Sequence, residues 1–161
     1  QLRNLISTIR SKVPGIALRT TMLVGFPGET DADFSRLMDF VGEARFERLG
    51  VFTYSPEEGT AAWDYSDNVP EEIKKFRAES LMELQQRISL ENNQSKIGEK
   101  MRVLIDRSEG DYSSGRTEFD SPEVDNEVMV KSTESISAGN FIEVRITGAS
   151  DFELYAEACR G

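Results

Sequence analysis

One feature governs how this sequence folds: a single helical pattern from Pro70 to Gly98 separates two stretches written in different hydrophobic periods. Pro70 suits a first helical position, and Glu71 and Glu72 suit the positive end of the helix dipole. Ile73, Phe76, Leu81, Leu84 and Ile88 supply an apolar face, and Gly98 fits a C-cap. The pattern predicts a helix of about 28 residues, roughly 40 Å long. A helix of that length commonly joins two modules. The expected layout is therefore an α/β part over 1–66, a linker helix over 67–97 and a second domain over 98–161.

Before the long helix the order is helix, strand, helix, strand. Leu2, Leu5, Ile6 and Ile9 recur at helical spacing until Pro14-Gly15. Ile16 to Gly25 is apolar and β-branched, as a buried parallel strand requires. Thr30, with Asp33 three residues on, predicts an N-cap, and Phe34, Leu37, Met38, Val41 and Ala44 mark an amphipathic helix. Leu49 to Tyr54 reads as the next strand. That order is characteristic of right-handed βα units around a parallel sheet. Two strands of an unfinished barrel leave sheet edges open, which predicts self-association through residues 16–54.

Past Gly98 the period shortens. Residues 101–105, 112–117, 127–131, 140–147 and 152–158 read as five strands separated by polar turns. Five short strands in about 60 residues predict a small OB-like barrel. This half is also the acidic one. Residues 98–161 carry seven Lys and Arg against fourteen Asp and Glu, a balance of −7 within a total of −10. An acidic surface repels phosphate backbones and attracts basic partners. A compact patch of Arg102, Arg107, Arg116 and Lys131 is the one route by which RNA binding survives that balance.

Composition removes several kinds of chemistry. The only cysteine is Cys159, and there is no histidine. One thiolate cannot hold an iron–sulfur cluster, and histidine-based catalysis and most catalytic zinc sites are out. No metal site and no catalytic residue is expected in this chain. The lone cysteine, the lack of a leader pattern and the lack of a spanning apolar run point to a cytoplasmic protein with no membrane partner. Gln1 already lies within a helical pattern, which predicts a piece of a longer protein.

Two loops follow the parallel strands. In Val24-Gly25-Phe26-Pro27-Gly28-Glu29-Thr30, glycines at the carboxyl end of a strand let a flat ligand such as an adenine approach the backbone. A tight turn followed by a capping box uses the same residues with no ligand. Glu57 and Glu58 read as solvated loop charges, since neighbours on a strand point to opposite faces. Trp63 reads as a packing residue, and Cys159 as an inert thiol.

Read together, these segments resemble the radical S-adenosylmethionine methylthiotransferases. Leu18 to Thr30 with Asp33-Phe34 is similar to their late-barrel segment, and Phe52 to Ala62 to the next strand and loop. Gln85-Gln86-Arg87-Ile88, followed by Gly98, is similar to the helix leading into their TRAM domain. Arg116 to Asp125 resembles the TRAM domain of the RimO branch, which acts on an aspartate of the twelfth protein of the small ribosomal subunit.

The resemblance implies the end of a partial (β/α) barrel plus a TRAM domain. For the intact protein it implies S-adenosylmethionine and two 4Fe-4S clusters, whose cysteines lie outside this chain, so that the chain alone is inactive. It further implies that Val24 and Gly25 border the adenosine, with Phe52 and Tyr54 near it. Arg19 becomes a candidate for holding cofactor or substrate, a structural ion pair serving equally well. Arg116, Glu118, Asp120, Glu123 and Asp125 become candidates for binding a basic ribosomal protein. The family's GxIxGxxE pattern is imperfect here, with Thr21 at the first glycine and Glu29 one position late. Transfer RNA, the substrate of a sister branch, and a non-enzymatic OB-like binding module are the alternative readings.

Overall fold

The computed structural model describes residues 1–122, 125–132 and 136–159. The chain divides into two compact units, 1–88 and 89–161. Helix α3 contributes residues to both.

In the first unit, helix α1 (Leu2–Lys12) precedes strand β1 (Arg19–Val24), helix α2 (Asp31–Ala44), strand β2 (Arg48–Thr53) and helix α3 (Glu71–Gln94). β1 and β2 pair in parallel, with Arg19 opposite Arg48 and Val24 opposite Thr53. One face of the pair carries Met22, Val24, Leu49 and Val51, packed with Phe34, Leu37, Met38 and Val41 of α2 and Ala78, Leu81, Leu84 and Ile88 of α3. α2 starts where the sequence places it. Thr30 accepts from the Asp33 amide at 3.2 Å while Asp33 accepts from the Thr30 amide at 3.0 Å, a complete capping box.

In the second unit, strands β3 (Lys100–Glu109), β4 (Tyr112–Arg116), β5 (Glu127–Lys131), β6 (Phe141–Ala149) and β7 (Glu153–Ala158) close a barrel in the order β3-β4-β5-β7-β6. Only β5–β7 is parallel, so the topology is mixed and OB-like. Val103, Ile105, Val128, Val130, Val144, Ile146, Leu154 and Ala156 alternate inward to fill it. Register shifts at Ile105/Arg107 and Ile146/Gly148 turn its corners. Gly115 is required at the β3–β4 contact, where a Cβ would lie 2.2 Å from the Leu104 carbonyl oxygen.

The strand reading stands with small boundary shifts, but α3 departs from it. The helix has 24 residues, ending at Gln94, and residues 95–98 form turns. Phe76, expected on the apolar face, is 61% exposed, whereas Lys74 and Arg77 are buried. The last turns of α3 are polar yet buried. Asn93 donates to the Ser150 carbonyl at 2.9 Å and accepts from Asn126 at 2.9 Å, and Ser89 donates to the Asp151 carbonyl at 2.6 Å. Among the described residues, no helix is long and apolar enough to cross a membrane.

Candidate functional site

The carboxyl edge of β1–β2 is where an α/β sheet offers backbone groups to a ligand. Here that edge is closed by side chains from α3. Gly25 adopts φ +75°, and a Cβ on it would sit 2.3 Å from Lys74 Cγ, so the glycine makes room for the lysine stem. The Lys74 ammonium reaches Asp67 at 2.5 Å, Glu71 at 2.7 Å and the Tyr54 carbonyl at 3.3 Å. Burial pulls the Lys74 pKa down, but hydrogen bonds and charge from Asp67 and Glu71 outweigh it, leaving the group above its ordinary value.

Arg77 completes the closure. It donates to Glu29 Oε1 and Asp31 Oδ1, both at 2.7 Å, and lies over the Phe34 ring. Glu29 Oε2 in turn accepts from the Gly25 amide at 3.1 Å, and Asn68 takes the Gly28 amide at 2.8 Å. Glu29, out of step with the radical-enzyme pattern, thus braces the β1–α2 loop. Lys74 and Arg77 were invisible to hydrophobic periodicity. Their signal in the sequence was charge spacing, with Glu71 one turn before Lys74.

The other face of the pair is open. Leu23 and Phe52 face each other across the register and are 47% and 64% exposed. Arg19 lies on the same face and engages a partner. Val24 points the other way and is fully buried in the α2–α3 core, so only its backbone can border a ligand. Tyr54 is buried, its hydroxyl donating to the Ala62 carbonyl at 2.9 Å and its ring edge-on to Phe26, which also meets Tyr65. Trp63, read as a packing residue, is half exposed. The five cofactor candidates therefore fall into an open pair (Arg19, Phe52) and a covered trio (Val24, Gly25, Tyr54).

In the barrel, several of the described residues from Arg116 to Asp125 are engaged by near neighbours. Arg116 pairs with Asp106 at 2.6 Å, Asp120 is buried and accepts from the Thr117 hydroxyl, and Asp125 takes the Ser121 amide at 2.7 Å. Glu118 is exposed, and Glu123 lies outside the described residues. Of the four cations expected for an RNA face, Arg107 and Arg116 are held in ion pairs, and Arg102 and Lys131 have a glutamate opposite in register. Arg107 binds Glu127 at 3.2 Å, and Arg102 sits over Phe141 with Glu143 opposite in register. Arg116 is held by Asp106, and Lys131 stands opposite Glu157. A groove between α1 and α2 is lined by Arg3, Arg10, Phe40 and Glu43, but its charges are consumed by the Arg3–Glu43 and Arg10–Glu47 pairs.

Residues 97–159 match the TRAM domain family. About 95% of the chain aligns with proteins named ribosomal protein uS12 methylthiotransferase RimO. It is 56% identical to that of Bacteroides thetaiotaomicron over 155 residues, 95% of this chain and 36% of the relative. It is 54% identical to that of Phocaeicola vulgatus over 154 residues, 94% of this chain and 36% of the relative. For Cytophaga hutchinsonii the identity is 53%, over 96% of this chain and 36% of the relative. The chain belongs to the RimO methylthiotransferase family. It spans about a third of the length of the curated relatives it matches.

Family membership gives the barrel its name, a TRAM domain, and sets a test for the implied cofactors. Iron–sulfur clusters do not fit the residues present. Cys159 is the only thiol, and among the described residues no three His, Cys, Asp or Glu side chains gather to hold a metal. S-adenosylmethionine fits better on the open face than at the glycines. Leu23 and Phe52 offer an apolar surface there, while the space beside Gly25 is filled by Lys74.

Proposed function

We propose that the protein to which this RimO chain belongs methylthiolates the β-carbon of an aspartate in ribosomal protein uS12. On this reading residues 1–66 are the late part of the catalytic barrel, 67–97 connect it to the TRAM domain, and 98–161 recruit the substrate. S-adenosylmethionine and two 4Fe-4S clusters supply the hydrogen abstraction, the sulfur and the methyl group, with cluster ligands outside this chain. Within the chain, Leu23 and Phe52 would lie against the adenosine, the backbone at Val24–Gly25 would border it, and Arg19 would hold an anionic group. Tyr54 serves them from behind by fixing the loop at Ala62. Alone, these 161 residues carry no activity.

The observation that carries the protein substrate is electrostatic. The barrel's −7 balance comes with Arg107 and Arg116 tied to carboxylates and Arg102 and Lys131 facing them. Such a surface attracts a protein rich in lysine and arginine and repels a phosphate backbone. The test is the intact protein with its clusters reconstituted, offered uS12 and transfer RNA side by side. Methylthiolation of uS12 alone, read by mass spectrometry, is the expected result. Modification of transfer RNA instead, or tighter binding to it at moderate salt, overturns the assignment. The carboxyl edge of β1–β2 stays in the cytoplasmic, cluster-bearing enzyme on this view.

A further inference from the structure

The loop after β2 carries an unusual combination of exposed aromatics and uncompensated carboxylates. From Leu49 to Ile73 the sequence has six Asp and Glu and no Lys or Arg. Asp67 and Glu71 are spoken for by Lys74. Glu57, Glu58 and Asp64 are exposed and enter no ion pair among the described residues. Beside them Trp63 and Tyr65 are 50% and 53% exposed. Large aromatics left half in water next to unneutralised acids are costly for solubility.

The loop is also built rather than slack. Glu57's carbonyl accepts from the Thr60 amide at 3.2 Å and hydroxyl at 2.8 Å, and Trp63 donates to the Thr60 carbonyl at 3.1 Å. Tyr65 donates to the Ala62 carbonyl at 3.1 Å, and that same carbonyl takes the buried Tyr54 hydroxyl. Phe26, edge-on to both Tyr54 and Tyr65, ties the loop to the carboxyl edge of β1. A surface held in place before binding loses little entropy when a partner arrives.

We propose that this lip, Phe26, Glu57, Glu58, Trp63, Asp64 and Tyr65, grips an extended basic segment of the protein substrate and selects it at the mouth of the catalytic site. Lysine or arginine side chains satisfy both halves of the surface at once, stacking on the rings and pairing with the carboxylates. A nucleic acid meets three uncompensated negative charges there. The inference rests on the uS12 reading but places selection on the barrel-side loop as well as on the TRAM domain.

The test uses the intact, cluster-loaded protein. Binding of uS12 is measured by anisotropy at low and moderate salt for wild type, for Glu57→Lys with Glu58→Lys, and for Trp63→Ala. The melting temperature is read for each. The double reversal is expected to weaken binding about tenfold or more and to flatten its salt dependence. Trp63→Ala should weaken binding with little change in salt dependence. For both, KM for uS12 should rise by more than kcat falls. Unaltered affinity in both variants overturns the lip, while wild type still modifying uS12 leaves the broader reading intact. A fall in melting temperature in the intact protein assigns the lip to the rest of the polypeptide and overturns it too. Wild type that neither binds nor modifies uS12 overturns both.

Discussion

Replacing Gly25 with alanine separates two explanations of that glycine, a seat for a ligand and a seat for Lys74. The added Cβ would lie 2.3 Å from Lys74 Cγ and 2.9 Å from Cδ, near the root of a wholly buried side chain. The stem must move, and with it the ammonium bound to Asp67, Glu71 and the Tyr54 carbonyl. The φ of +75° adds about 1–2 kcal/mol for any residue with a Cβ. Losing one or two charge-assisted hydrogen bonds adds about 2–3 kcal/mol, giving about 3–5 kcal/mol in all. In a Lys74→Ala background the clash is gone, and the same change should cost only about 1–2 kcal/mol. The difference, a coupling of about 2–3 kcal/mol, is the signature of contact. Urea unfolding followed by the fluorescence of Trp63, the sole tryptophan, reports on this unit. A coupling indistinguishable from zero refutes the packing explanation.

Three further outcomes follow from other parts of the molecule. Asn93→Leu leaves the Ser150 carbonyl and the Asn126 amide without their buried partner, and should destabilise the barrel unit by about 2–4 kcal/mol in urea, whereas Asn92→Leu should not. Asp33 is held at a pKa of about 2 by hydrogen bonds from the Thr30 side chain and backbone and from Arg36. Because its folded pKa is depressed, its contribution is complete above about pH 4 and is lost as pH falls toward 2; Asp33→Asn should flatten that part of a stability–pH profile. Leu23→Ser with Phe52→Ser should lower any self-association of the 161-residue chain in sedimentation, since these residues form the open apolar face of the parallel pair.

What the sequence made legible was whatever hydrophobic period records. β-Strands with one filled face write alternation into the chain, and the barrel's inward residues do so at Val103, Ile105, Val128, Val130, Val144 and Ile146. Thr30 and Asp33 were legible because a capping box has a fixed spacing. The site's closure was not, because α3 buries Lys74, Arg77, Gln85, Ser89 and Asn93 along with Leu81 and Ile88. Those positions follow the helical period perfectly well, but period is read from apolar residues, and this stripe is mostly polar. Phe76 falls on the predicted face for the same reason, as an apolar residue next to the buried Arg77.

The consequence reaches the chemistry. A polar stripe is tolerated only where each group finds a partner, and the partners here are loop backbones and loop carboxylates: Glu29, Asp31, Tyr54, Phe46 and Ser150. An apolar α3 would pack as tightly but would leave the turns after β1 and β2 unspecified. The buried charges therefore hold loops rather than supply core stability, at a desolvation cost that a hydrophobic stripe would avoid. On the proposed function these are the loops that border the cofactor and present the lip, so the polar residues of α3 set their positions without touching a reacting atom. That predicts a particular phenotype for Arg77→Met. The guanidinium over Phe34 and its ion pairs with Glu29 and Asp31 are lost together, so some stability should go, while amide exchange at Gly25 to Asp31 should rise by more than that global loss accounts for. Equal loss of stability and unchanged local exchange would make Arg77 a core residue and nothing more.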